Sequence, residues 1–123
     1  MSIFAISDLH LSLNCDKTMA VFQGWENYVE RIKENWFKNI KDDDTVIIAG
    51  DISWAKKISE AKEDFKFIYE LPGKKIIFRG NHDYWWTTKT ATCRFLEENG
   101  FNSISVMFNS SYLVEGKCIC GAR

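Results

Sequence analysis

Three short clusters hold most of the side chains in this chain that are suited to chemistry: Asp8-Leu9-His10, Gly50-Asp51 and Gly80-Asn81-His82-Asp83. The chain has 2 histidines in all, and both fall in these clusters. Carboxylate and amide oxygens together with imidazole nitrogen form a hard-to-borderline donor set, which accepts manganese, iron or zinc. An imidazole titrates near neutral pH, so a histidine here suits either ligation or proton donation. Gly50 and Gly80 allow a sharp backbone turn with no Cβ beside the site. Taken singly, each cluster is a common chance pattern. The order in which the three occur is what makes them informative.

That order depends on the elements that carry them. Ser2–Ser7 (SIFAIS), Thr45–Ala49 (TVIIA) and Lys75–Phe78 (KIIF) are short β-branched or aromatic runs bounded by Asp or Gly, which predicts buried strands. Each runs directly into one of the clusters. Val21, Trp25, Tyr28, Val29, Ile32, Trp36 and Ile40 recur at helical spacing between the first two strands. Ile58, Ala61, Phe65 and Ile68 do so between the second and third, and Leu71-Pro72-Gly73 ends that helix. Strand, helix, strand, helix, strand is the grammar of a parallel α/β sheet, whose ligands bind at the carboxyl ends of the strands. The sequence therefore predicts that the clusters converge as a mixed oxygen and nitrogen metal site. A third helix is expected over Thr88–Asn99, capped by Gly100. Strands are expected over Ser103–Phe108 and Tyr112–Cys120, the second ending at Gly121.

Composition narrows the class. The chain has 123 residues, 46% hydrophobic, with 16 Lys plus Arg against 17 Asp plus Glu. One domain spanning 1–123 is expected. A net charge of -1 argues against a nucleic-acid or anionic-membrane binder. No apolar run reaches the ~18 to 20 residues of a membrane span, and no signal peptide is recognisable, so a cytoplasmic protein with free thiols is expected. Cys118 and Cys120 share one face of a strand and read as small apolar fillers. Trp25 and Trp36 read as core by spacing, and Tyr84, Trp85 and Trp86 as core packing in preference to a cleft wall. Asp42-Asp43-Asp44 reads as a solvated turn, and Lys56-Lys57 and Lys74-Lys75 as surface pairs. Arg79 suits a substrate phosphate and a surface salt bridge equally.

The three motifs resemble the first three of the calcineurin-like metallophosphoesterases, and the resemblance runs along the whole chain. Gly80-Asn81-His82-Asp83 after an apolar strand is its most specific part. Asn81-His82-Asp83-Tyr84-Trp85-Trp86 resembles a bacterial branch of predicted phosphohydrolases. The resemblance implies a β-sandwich flanked by helices and a dinuclear metal site for phosphomonoester or phosphodiester hydrolysis. It implies that Asp8 and His10 hold one metal, that Asp51 bridges both, and that Asn81 holds the second. It makes His82 the general acid, oriented by Asp83. The family completes its site with further downstream histidines that have no counterpart here, and the Cys120–Arg123 ending resembles mid-domain sequence. An N-terminal half is therefore expected, holding one ion or none tightly, self-associating, and with little or no activity. Two rivals are a catalytically incomplete fragment of that fold and a non-enzymatic α/β interaction module.

Overall fold

A computed structural model of the chain describes residues 1–122; Arg123, the last residue of the Cys120–Arg123 ending, lies outside them. Four strands, β1 (Ile3–Ile6), β2 (Thr45–Ile48), β3 (Lys74–Phe78) and β4 (Ile104–Met107), form one parallel sheet in the order β1-β2-β3-β4. Helices α1 (Tyr28–Asn39), α2 (Lys62–Glu70) and α3 (Lys89–Glu98) supply the crossovers. The α/β architecture expected from the strand and helix patterning is the one observed. Strands β5 (Ser110–Val114) and β6 (Lys117–Gly121) form an antiparallel hairpin.

The core explains the arrangement. Val46, Ile48, Ile77, Ile104 and Val106 from the sheet meet Trp36, Phe65, Ile68 and Leu96 from the helices in one buried cluster. On the opposite face the hairpin closes over β3 and β4. A Cβ added to Gly121 would collide with the Phe78 ring and the Met107 side chain, so only glycine allows that approach.

Several elements differ from the sequence pattern. The single strand expected over Tyr112–Cys120 is a hairpin, because Glu115 and Gly116 both adopt positive φ (55° and 70°) and turn the chain between β5 and β6. The helical spacing from Val21 becomes helix only at Tyr28. Gly24 (φ 90°) and Asn27 (φ 53°) take left-handed conformations that break it. β1 is half-exposed where a buried strand was expected, since it is an edge strand with a neighbour on one side only.

The amino ends of the strands are also less solvated than their charges suggest. Lys75 is buried, and its Nζ donates to the carbonyls of Leu71 (2.6 Å), Gly73 (2.9 Å) and Tyr69 (3.3 Å). Asp44 is buried and accepts from the amides of Ser2 (2.7 Å) and Lys41 (2.8 Å). Neither is the surface residue its neighbours implied. Cys118 and Cys120 are exposed thiols 3.4 Å apart and do not fill a core.

Candidate metal centre

Past the ends of β1 and β2 the two chain segments stay side by side, though not in a regular ladder. Asp8 N–H donates to Gly50 O (3.1 Å), His10 N–H to Asp51 O (3.0 Å) and Leu11 N–H to Ile52 O (2.8 Å). This pairing sets the first two clusters side by side. Asp8 (φ 58°), His10 (φ 45°) and Asp51 (φ 50°) all sit in the left-handed region, which costs a residue with a Cβ roughly 1–2 kcal/mol. Such strain concentrates where function dictates side-chain direction.

Here it turns the three side chains toward one point. One ligand atom from each of Asp8, His10 and Asp51 lies within 4.8 Å of the others. His10 Nε2 stands 3.5 Å from Asp8 Oδ1 and 3.9 Å from Asp51 Oδ2. Ligands about 2.1 Å from an ion lie roughly 3.0 Å apart when adjacent and 4.2 Å when opposite. The spacing and chemistry of this set therefore fit a divalent cation.

The third cluster reaches the same point through Asp51. His82 N–H donates to Asp51 Oδ1 (2.9 Å), and His82 Nδ1 lies 2.8 Å from Asp51 Oδ2. An ionised carboxylate only accepts, so Nδ1 carries the proton and donates it. Burial alone would raise the Asp51 pKa, but the His82 hydrogen bonds outweigh it and hold the carboxyl below its usual range. The glycines make the approach possible. A Cβ on Gly80 would strike the Asp51 carboxylate, and one on Gly50 would come within 2.8 Å of the Gly80 backbone.

Asp83 does something other than orient His82. Its buried carboxylate accepts from Gly80 N–H (2.7 Å), Ile52 N–H (2.8 Å), Trp85 Nε1–H (2.9 Å) and Ser53 N–H (3.2 Å). It ties the third loop to the second, and Asp51 takes the place beside the imidazole. Burial raises the Asp83 pKa. Asn81 lies exposed on the same turn. Arg79 has a buried Nε with no hydrogen-bond partner among the described residues, and no salt bridge there involves it.

Several residues outside the three clusters also surround the centre. Trp54 stacks on the His10 ring (5.0 Å between centroids, 23° between planes), while Trp25, expected in the core, stands edge-on to it (5.9 Å, 66°). Tyr28 donates its hydroxyl to His10 O (2.6 Å). Asp64 accepts from Leu13 N–H (2.9 Å) and Ser53 Oγ–H, joining the first loop to the second. Asp64 had a legible signal, since it is an acid on the apolar stripe of α2 between Ala61 and Phe65. Of the aromatic run, Trp85 is core, Trp86 half-buried, and Tyr84 exposed beside His82.

The model of the calcineurin-like phosphoesterase family matches residues 1–120. No curated protein matches the chain. Among solved structures, a protein of unknown function from Aquifex aeolicus (AQ665) superposes with a TM-score of 0.55 at 23% identity, over 96% of this chain. The chain spans 58% of the length of that structure, and the likeness is one of fold.

Proposed function

Because this chain belongs to the calcineurin-like phosphoesterase family, we propose that its Asp8–His10–Asp51 cluster binds a divalent metal ion for the hydrolysis of phosphate esters. The observation that carries this is the convergence of those three donors, from two loops, in strained backbone at the carboxyl ends of two parallel strands. Asp8, His10 and Asp51 would hold the ion, which would supply Lewis acidity and a water of lowered pKa.

The remaining work falls to the protein's own groups. His82, anchored through Nδ1 to Asp51 on a side chain 41% exposed, is proposed to give a proton to the leaving alkoxide. Arg79, which no carboxylate neutralises among the described residues, suits a phosphate oxygen. Asn81 is proposed as an oxygen ligand for a second ion shared with Asp51. Manganese, iron and zinc all suit these donors. The small net charge favours no nucleic-acid partner, and among the described residues no helix is long and apolar enough to cross a membrane.

A second reading is favoured by the ligand count. Among the described residues a second ion would have Asp51 and Asn81, so these residues would hold one ion well and turn over slowly. Elemental analysis after manganese loading is the test. Asp51→Ala should lose the metal, because Asp51 belongs to the triad and is the shared ligand. Unchanged metal in that variant would remove the assignment. Turnover of p-nitrophenyl phosphate with manganese then separates the two readings.

A further inference from the structure

We propose that Trp54 is the positioning residue for His10, fixing its imidazole by stacking where metal sites usually use a hydrogen bond; this rests on the metal-centre reading above. A histidine that ligates a metal through one nitrogen normally donates its other N–H to a carboxylate or carbonyl, which sets the ring's tautomer and rotation. His10 has its Nε2 turned to Asp8 and Asp51, and among the described residues no hydrogen bond holds its Nδ1. Rotation of the ring is instead blocked from two sides. Trp54 covers one face at 5.0 Å and 23°, and Trp25 stands edge-on at 5.9 Å and 66°.

Trp54 is itself held in place. Its backbone N–H donates to Leu11 O (2.9 Å), continuing the parallel pairing of the two ligand loops. Lys17 Nζ sits 3.6 Å from the centre of its ring. Its indole Nε1 is buried and bonds nothing among the described residues, so the ring is kept for its faces and not for its donor. The same indole lies 5.4 Å from the His82 ring, which puts one rigid plate beside both imidazoles. The spacing follows from the loop pairing. With Leu11 bridged to Ser53, Trp54 is the next residue to lie alongside the first loop.

The test has one arm without metal and one with it. In the metal-free protein, proton NMR should show the His10 ring protons shifted upfield by the stacked indole. Trp54→Leu should return them toward ordinary histidine positions, and Trp54→Phe should keep most of the shift. By calorimetry, Trp54→Leu should weaken manganese binding about 10-fold, in the usual range for losing a ligand's support, and Trp54→Phe should restore it. His10 resonances unmoved in Trp54→Leu, or equal manganese affinity in Trp54→Leu and the native chain, would overturn the proposal. A loss that Trp54→Phe fails to restore would do the same. If the native chain takes up no manganese, the metal reading fails, and the NMR arm alone decides Trp54.

Discussion

Asp51 is the residue on which the site turns, because both of its oxygens meet groups from other loops. Oδ1 receives the His82 amide, and Oδ2 receives the His82 ring and faces His10. His82 therefore touches the cluster without being one of its three converging ligands. His82→Ala should leave bound metal unchanged in elemental analysis while lowering phosphate-ester turnover about 10²- to 10⁴-fold, the usual worth of a general acid. Loss of metal along with activity would make His82 a ligand. The types and spacing of Asp8, His10, Asp51 and His82 were legible in the sequence because each sits where an apolar strand stops. The roles were less so. Asp83 follows His82 in the chain, yet its carboxylate turns inward to four donors, a direction that only the folded loop fixes. Trp54 was illegible for a related reason, since its partner is 44 positions away and depends on the loop pairing.

Between elements, the loops behind the site are fastened by buried acids. Asp83 accepts from the third loop and the second, and Asp64 on α2 joins the second loop to the first. Each donor left buried and unpaired costs roughly 1–3 kcal/mol, and a domain has only about 5–15 kcal/mol in total. Asp83→Ala strands several donors at once and should unfold at a markedly lower temperature. Asp83→Asn, which keeps one oxygen, should lose only about 1–3 kcal/mol by denaturant titration. Equal stability of native and Asp83→Ala proteins would contradict the clamp.

At the other end of the sheet Lys75 closes the turn after α2, and burial pushes its pKa down to about 8. An unfolded lysine titrates near 10.4, so between about pH 8 and 10.4 the unfolded chain binds more protons and stability rises with pH. Lys75→Met should abolish that part of the slope. A native slope no steeper than the variant's over this window would count against the burial of a charged amine. The helix and strand identities that frame these contacts were readable from periodicity. The burial of Lys75 was not, because a Lys-Lys pair looks solvated until its strand register places alternate residues on opposite faces.

At the largest scale, β1 pairs with β2 alone among the described residues, and a groove lies beside it. β1 bonds to β2 through its even-numbered residues, as Ser2 O, Ile6 O and the Asp8 amide show. The amides and carbonyls of Ile3, Ala5 and Ser7 therefore point away from the sheet. Phe4 is 36% exposed, and a groove of about 520 Å³ runs from Asp8 along this edge past Ile32, Trp36 and Val46. An exposed, apolar edge strand is a template for pairing with another chain, and this one carries neither the charge nor the proline that usually blunts it. We expect this chain to self-associate along β1, so light scattering should give a mass of at least twice 14.3 kDa. Ala5→Pro is the discriminating variant. It removes an outward-facing amide without touching any hydrogen bond to β2, and edge strands accept proline. It should give a monomer with the native circular dichroism spectrum and unchanged metal content. A native chain that is already monomeric, or an Ala5→Pro chain that stays associated, would show that the β1 edge is not the surface the chain uses.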